Sequence, residues 1–290
     1  MHFCESSGTR AFWLHINIQT KAMSTIFILP LITASCYAKA ILPEPVVAAT
    51  TTYAYAIDLD RPVTVAAFEC MKKSGYKAAI IRVYDPSDNG KLDVNAVSNI
   101  RNANQAGLGT EVFMTPLPRS SKKGGEQFRE LYEGLKNGKI DVKMVWLQVT
   151  SPVNWGSNSN ENIYFLNDII SMAKYYDVRI GFYTNVYDWN QITKGATVEG
   201  AMLWYWKVNG GGPSGETPAN FDDFRPFGKF TKPTMKQFGQ MEQICGVTVN
   251  RDIYSLEKFN PFLAEVKEKQ SNELIVGKLG LALTGLLSAA

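Results

Sequence analysis

The sequence predicts an α/β protein: a single domain built as an irregular, TIM-like barrel with five βα units followed by three plain strands. Short β-rich runs alternate with helical patterns through the first part of this region, which is typical of parallel βαβ units. Three further strand patterns then follow without proper helices between them. The segment "AIDLDRPV" at the first strand contains no glycine, so it lacks the phosphate-binding fingerprint of a nucleotide-binding sheet, and we expect no nucleotide.

Eight strand patterns can be counted along the chain. They are rich in β-branched and aromatic residues, which favour strands. The first five are "AYAID", "AAIIRVY", "TEVFM", "MVWLQV" and "RIGFYTNV", and the last three lie in "AMLWYWKV", "MKQFGQ" and "GVTVNRDIY". A long Gly- and Pro-rich loop, "NGGGPSGETPANFDDF", separates the sixth strand from the seventh.

Four helical patterns lie between the first five strands, and a shorter helical piece precedes the sixth. Pro62 opens the first helix and Asp93 is the expected N-cap of the second, while Gly75, Gly107 and Gly138 end the first three. The inward-facing residues are Val65, Phe68 and Met71 in the first helix, Val97 and Ile100 in the second, Phe128, Leu131 and Leu135 in the third, and Ile163, Leu166, Ile169 and Ala173 in the fourth.

The composition is that of an ordinary globular protein. Apolar residues make up 45% of the 290 residues and charged residues 20%, which argues against a disordered or fibrous chain. The formal net charge of +3 is not gathered into a basic stripe, so we expect no nucleic-acid partner. We expect a monomer.

The N-terminal region has the pattern of a secretory signal. An apolar run, Ile26–Ile32, is followed by small residues and by an A-x-A-like end at residues 38–40, although a short buried strand would give a similar run. We therefore expect a secreted protein, in the extracellular space or in a lysosome-like or gut lumen. The expected regions are an extension of unclear status at 1–22, a signal peptide at 23–40, a linker at 41–52, the barrel at 53–257 and an apolar tail at 258–290.

The tail ends in "LIVGKLGLALTGLLSAA", an apolar stretch that contains Lys278. An amphipathic helix that packs on the barrel is the simplest interpretation. A cleaved lipid-anchor signal is the alternative, although the polar spacer before the stretch is short.

Cysteine and histidine limit the chemistry further. Without residues 1–40, only Cys70 and Cys245 remain; in an oxidising compartment they form one disulfide, or else they are two buried thiols. Both histidines, His2 and His15, precede Met23, so the mature chain would contain none. This excludes Ser-His-Asp and Cys-His catalysis and nearly every zinc site, and we expect no metal and no cofactor.

With these segments placed, the chain resembles glycoside hydrolase family 25, the lysozymes of the Chalaropsis type, and especially the branch found in nematodes and amoebae. The resemblance rests on the order and spacing of "AYAID", "YTNVYDW", "LWYW", "KQFGQ" and "VNRDIY", and it covers about Tyr53 to Tyr254. It implies an irregular barrel fold. It also implies cleavage of the linkage between muramic acid and glucosamine in bacterial peptidoglycan.

The resemblance assigns roles to four positions. Asp58 matches an aspartate on the first strand near the reacting centre, and Asp252 matches an aspartate on the last strand. The family carries an Asp-x-Glu pair at the end of its fourth strand, with the Glu as general acid, but Gln148 and Thr150 stand there in this chain. Neither side chain can supply a proton near neutral pH, so the resemblance implies a lysozyme fold with impaired or altered catalysis.

Other carboxylates could replace the missing acid. Glu111 lies near the start of the third strand, which favours the opposite end of the barrel, and Asp85 before Pro86 is typical of a turn. Asp188 is most simply the N-cap of the short helix. Asp60 shares a strand face with Asp58, where it could contact substrate or cap the first helix.

Aromatic and amide side chains near the predicted mouth could bind sugar rings. Apolar sugar faces stack on aromatic rings, and amides hydrogen-bond to hydroxyls. The candidates for substrate binding are Tyr183, Asn185, Trp204, Trp206, Gln237 and Asp252. Alternation places Trp204 and Trp206 on one face and Tyr205 on the other, so part of this set must be barrel packing, as we expect for Trp146.

Two functions follow as expectations. The first is a secreted lysozyme-like glycosidase that acts on bacterial cell walls in digestion or innate defence. The second is a catalytically inactive relative that binds peptidoglycan or a similar glycan.

Overall fold

Eight strands close into a barrel in the computed structural model of the chain, which describes residues 53–256 and 273–279. The described residues form eleven strands, eight of them in the barrel: β1 (Tyr53–Leu59), β2 (Ala78–Asp85), β3 (Lys91–Leu92), β4 (Gly109–Met114), β5 (Ile140–Val142), β6 (Met144–Gln148), β7 (Arg179–Thr184), β8 (Met202–Trp206), β9 (Met235–Ile244), β10 (Val247–Ser255) and β11 (Leu274–Val276). The α-helices are α1 (Val65–Lys73), α2 (Ala96–Gln105), α3 (Gly124–Asn137), α4 (Ser159–Tyr175) and α5 (Val186–Thr193). Two short 3₁₀ helices lie at Pro152–Asn154 and Pro213–Gly215.

The barrel wall runs in the order β1, β2, β4, β6, β7, β8, β9 and β10, and β10 pairs back to β1. The first seven of these strands are parallel to their neighbours, whereas β10 is antiparallel to both β9 and β1. Strand β3 only extends one end of β2, and β11 pairs with β5 in a separate two-stranded sheet.

The helices occupy the positions that the sequence predicts. Each of α1 to α5 joins two successive barrel strands from β1 to β8, and within the described residues no α-helix lies between β8 and β10. The predicted arrangement of five βα units and three plain strands is therefore confirmed.

The predicted starts of the first two helices were wrong. Thr64, rather than Pro62, precedes α1, and its side chain accepts a hydrogen bond from the backbone N–H of Ala67 (3.2 Å). Helix α2 begins after Asn95, two residues beyond Asp93. Asp93 is buried, and its carboxylate forms an ion pair with Arg82 (2.8 Å). A hydrogen bond between two charged groups is stronger than one between a carboxylate and a backbone N–H at an exposed helix terminus.

Apolar side chains form two layers. The outer layer lies between the helices and the sheet, and it includes most of the predicted inward-facing residues, among them Phe68, Leu131 and Ile169. The inner layer fills the barrel and includes Trp146, which is fully buried as expected, and Trp204. The barrel is thus a packed core with access only at its ends.

One disulfide fastens the β9–β10 hairpin to α1. It joins Cys70 on the helix to Cys245 at the turn of the hairpin, so the sequence prediction of a single disulfide is confirmed. The bond connects residues 175 positions apart, and the chain-entropy estimate for such a long loop is about 5 kcal/mol.

The expected extension, signal peptide and linker at 1–52 lie outside the described residues, as does most of the tail. Where the structure does describe the tail, the expectation of a helix was wrong. Residues Leu274–Val276 form β11, because the backbone of β5 offers them a parallel partner. Among the described residues, no helix is long and apolar enough to cross a membrane.

Candidate active-site cleft

A cleft of about 510 Å³ lies at the carboxyl ends of the parallel strands. This is the end at which barrel enzymes of this kind place their chemistry. Residues from several strands and loops line it, including Asp58, Arg82, Thr115, Gln148, Tyr183 and Asn250. Asp58, which the resemblance places near the reacting centre, and Gln148, which stands at a position of the family's acid pair, therefore line the same cavity.

Asp58 is the buried acid of this cleft. Only 3% of its surface is exposed, and its Oδ1 accepts a hydrogen bond from the side-chain amide of Asn250 (2.9 Å). Burial raises the pKa of Asp58 to about 7, an effect that the hydrogen bonds from Asn250 and Asp252 partly oppose. Asp58 can therefore gain or lose a proton near neutral pH.

Asp252 lies beside Asp58 at the top of the barrel interior. Its Oδ1 accepts a hydrogen bond from the indole N–H of Trp204 (2.8 Å), and the residue has no exposed surface. Burial, together with the nearby charge of Asp58, raises the pKa of Asp252 well above its usual range. Among the described residues, Oδ2 of each aspartate lacks a conventional donor, and the two carboxyl groups hydrogen-bond each other when one is protonated.

Three of the predicted sugar-binding residues support the cleft from below. Tyr183 lines the cleft, and its ring stacks on Trp204 at a centroid distance of 4.0 Å. The Tyr183 hydroxyl donates a hydrogen bond to the side-chain oxygen of Gln237. Trp204 and Gln237 are buried, so Tyr183 alone of these three presents a surface to the cleft.

Gln148 is held in one orientation by two hydroxyl groups. Thr115, which directly follows β4, donates a hydrogen bond to Oε1 of Gln148 (2.6 Å), and Nε2 of Gln148 donates to Oγ1 of Thr150 (3.0 Å). The expected position of the acid pair therefore holds an uncharged chain of three polar side chains. One N–H of the Gln148 amide remains for a ligand in the cleft.

The loop after β6 forms one edge of the cleft. Its backbone is fixed by the indole N–H of Trp155, which donates to the carbonyl of Thr150 (3.0 Å), and by Arg119, which donates to the carbonyl of Trp155 (2.6 Å). Ser151 lines the cleft and has φ 56° and ψ 72°, a left-handed conformation that costs a residue with a side chain about 1–3 kcal/mol.

The sequence suggested that Asp188 is the N-cap of α5, and this prediction was wrong. Asn185 is the N-cap, and its side-chain oxygen accepts the backbone N–H of Asp188 (2.8 Å). The Asp188 carboxylate instead accepts a hydrogen bond from the indole of Trp206 (3.0 Å). Burial raises the pKa of Asp188, and the indole and the nearby backbone N–H of Ser151 partly oppose this rise. The prediction failed because the groups near the Asp188 carboxylate lie on other elements of the fold, and the local sequence does not reveal such contacts.

The two remaining predicted substrate contacts are not among the residues that line the cleft. Trp206 is half-buried at the carboxyl end of β8, and the Asn185 side chain is used to cap α5. Direct contact of these residues with sugar stays a prediction.

The other candidate acids have structural partners. Glu111 lies near the start of β4, as expected; its carboxylate accepts hydrogen bonds from the backbone of Leu279 (2.9 Å) and the indole of Trp146 (3.3 Å). Asp85 forms the predicted turn, accepting from the backbone N–H of Ser87 (2.9 Å). Asp60 is half-exposed and pairs with Arg82 (3.4 Å).

Sequence reasoning did not identify Thr115, Ser151 or Asn250 as parts of the site. Two of them carried a usable signal: Thr115 directly follows a strand at its carboxyl end, and Asn250 shares a strand face with Asp252. No local pattern marks Ser151, whose backbone conformation depends on the packing of the loop.

The fold and the cleft together define a lysozyme-like barrel protein. A family model described as Lysozyme-like protein 1 matches residues 49–238. Lysozyme-like protein 1 of Caenorhabditis elegans is 52% identical over 215 residues, which cover 73% of this chain and 72% of that protein. Probable GH family 25 lysozyme 2 of Dictyostelium discoideum is 32% identical over 200 residues, which cover 68% of this chain and 89% of that protein.

Solved structures show the same fold. A bacterial lysozyme from Streptomyces coelicolor aligns with a TM-score of 0.56 at 18% identity, over 71% of this chain and 93% of that one. A muramidase from Trichobolus zukalii aligns with a TM-score of 0.54 at 16% identity, over 71% of this chain and 96% of that one. The chain belongs to the lysozyme-like proteins of glycoside hydrolase family 25.

Proposed function

We propose that this protein cleaves the glycan strands of bacterial peptidoglycan, as a muramidase-type hydrolase in which Asp58 supplies the proton. The observation that carries the proposal is the state of Asp58: a buried carboxyl group in the cleft whose pKa of about 7 leaves much of it protonated at neutral pH. A positioned general acid of this kind contributes about 10²–10⁴-fold to the rate of such reactions.

In this mechanism, protonated Asp58 gives its proton to the glycosidic oxygen as the bond from that oxygen to C1 breaks. Within the described residues, the other carboxylate that lines the cleft is Asp60, which pairs with Arg82 and Arg61. The substrate itself can supply the nucleophile, because the oxygen of an N-acetyl group next to C1 can form a bond to that carbon. Water then opens this intermediate and returns a proton to Asp58.

A second function, binding without hydrolysis, is favoured by the orientation of Gln148. Its carbonyl oxygen already accepts from Thr115, and one N–H of its amide remains to donate to a ligand. A donor that binds the oxygen of the N-acetyl group withdraws electron density from the atom that would attack C1. The same contact that holds the glycan therefore opposes its cleavage.

Reducing-end release from isolated peptidoglycan distinguishes the two functions. Hydrolysis predicts new reducing ends with the wild type and a loss of about 10²–10⁴-fold with Asp58→Asn. Glycan binding, measured by co-sedimentation with peptidoglycan, should be retained in that variant. Binding by the wild type with no release above a protein-free blank would instead establish the second function.

A paired replacement tests the role of the β6 positions. Gln148→Asp combined with Thr150→Glu restores the family's carboxylate pair, and Thr115 can still donate to an aspartate at position 148. We expect reducing-end release to rise by at least about tenfold, since a second acid then faces the cleft. Gln148→Asn with Thr150→Ser is the uncharged control.

We also propose that the protein acts outside the cytosol, in digestion or defence against bacteria. The disulfide between Cys70 and Cys245 supports this location, because such bonds persist in oxidising compartments. Mass spectrometry of protein recovered from culture medium would test it. An N-terminus near residue 41 is the expected result, and retention of the whole chain inside the cell would contradict it.

A further inference from the structure

We propose that Asp188 is a positioning residue for glycan binding: its carboxylate joins the loop after β6 to the aromatic edge of β8 and so sets the width of the cleft mouth. The inference rests on the proposed function, because it concerns the same glycan in the same cleft. Asp188 acts on the affinity for the glycan, whereas Asp58 acts in proton transfer.

The geometry of Asp188 leaves its carboxylate available for this role. Its backbone N–H is satisfied by the Asn185 side chain (2.8 Å), which caps α5, so the carboxylate has no capping task. Asp188 is only 3% exposed, and a buried carboxylate is tolerated where donors from the protein replace water. The indole of Trp206 donates to it, and the backbone N–H of Ser151 lies nearby on a different element.

The first group near the carboxylate is the backbone N–H of Ser151, which partly opposes the rise in the pKa of Asp188. Ser151 directly follows Thr150, lines the cleft and holds a left-handed backbone conformation. Such a conformation persists in a residue with a side chain only where its surroundings enforce it. The attraction between this N–H and the Asp188 carboxylate acts on the strained residue itself.

The second group is the indole N–H of Trp206, at 3.0 Å. Trp206 is half-buried at the carboxyl end of β8 and pairs across the sheet with Gln237, which accepts the Tyr183 hydroxyl. Its indole therefore takes its orientation from Asp188 on one side and from the barrel wall on the other. An aromatic ring held in this way is preorganised for a sugar face, which reduces the entropy lost on binding.

Asp188→Asn is the informative replacement. It preserves the size of the side chain but leaves one acceptor oxygen for two N–H donors, with its own NH₂ directed at the other donor. We expect the affinity for a soluble tetrasaccharide of alternating N-acetylglucosamine and N-acetylmuramic acid to fall about tenfold, equal to about 1.4 kcal/mol. Titration of tryptophan fluorescence at about pH 8, where Asp58 is mostly ionised, measures binding with little turnover.

Asp168→Asn is the matched control. Asp168 on α4 also accepts a backbone N–H, that of Gly125 (2.8 Å), but it lies between helices outside the barrel. It should lose stability without losing glycan affinity. Trp206→Phe should weaken binding as Asp188→Asn does, and the double variant should be no weaker than the weaker single variant, because the two residues act through one contact.

Hydrogen exchange separates this proposal from the proposed function. In Asp188→Asn the amides of residues 151–154 should exchange faster than in the wild type or in Asp168→Asn, whether or not any glycan binds. Unchanged exchange, or additive losses of affinity in the double variant, would overturn the positioning role. A wild type that binds no glycan would overturn both proposals, whereas glycan binding with no release of reducing ends would count against the proposed hydrolysis alone.

Discussion

Asp58 and Asp252 lie diagonally opposite each other on the paired strands β1 and β10, and their carboxyl groups hydrogen-bond each other through a shared proton. Asp252 holds that proton more strongly, because it has no exposed surface and sits next to the charge of Asp58. Asp58 is therefore the member of the pair that titrates near neutral pH, and Asp252 acts as its donor.

The pH dependence of hydrolysis tests this arrangement. If the acid form of Asp58 is the reactive one, the rate should be high below pH 7 and fall as the pH rises through the Asp58 pKa of about 7. Initial rates of reducing-end release across this range provide the measurement. A rate that rises with pH would show that Asp58 acts as a carboxylate and that another group is the acid.

Replacement of Asp252 should shift that profile in a defined direction. The hydrogen bond from Asp252 lowers the pKa of Asp58, so Asp252→Ala removes it and should move the midpoint of the profile to higher pH. Asp252→Asn retains both a donor for Asp58 and an acceptor for the Trp204 indole, and it should leave the midpoint nearly unchanged. Equal shifts in the two variants would argue against a proton shared between the aspartates.

The disulfide should contribute strongly to stability. Replacing Cys70 and Cys245 by serine frees the β9–β10 hairpin from α1, and we expect the free energy of unfolding to fall by about 2–5 kcal/mol. Urea denaturation measures the change, and the wild type treated with a reductant serves as the control. A loss under about 0.5 kcal/mol in both would show that the unfolded chain gains little freedom without the bond.

Glu111 should make the folded state less stable as the pH rises. Burial raises its pKa from 4.5 to about 7, so between these values the folded chain binds more protons than the unfolded chain. The free energy of unfolding should therefore decrease across this range, by on the order of 3 kcal/mol from Glu111 alone. Chemical denaturation at several pH values, with Glu111→Gln as the comparison, isolates this contribution.

The pH slope is the informative quantity for Glu111, because Asp58 and Asp252 contribute a background that both proteins share. Glu111→Gln also weakens one hydrogen bond, since its NH₂ group cannot accept from Trp146. Its stability should thus be lower at acidic pH but should decline less as the pH rises. Parallel curves for the two proteins would contradict a raised pKa.

The sequence by itself determined the barrel fold, whereas the position of the acid pair was a prediction from the family resemblance. Strand and helix periods are local properties, so the five βα units and the three plain strands followed from the order of patterns along the chain. Alternation correctly separated Trp204 and Trp206 from Tyr205. The family resemblance then placed Gln148 and Thr150 where the acids were expected.

Only the tertiary structure decided what the polar side chains do. Asn250 reaches Asp58 across 192 positions of the chain, and Asp188 accepts from the indole of Trp206 and lies near the backbone N–H of Ser151 instead of capping its own helix. These partners depend on strand register and burial, which are set by contacts between distant segments. The pKa of Asp58 arises in the same way, because desolvation comes from the closed barrel and not from the residues beside it in sequence.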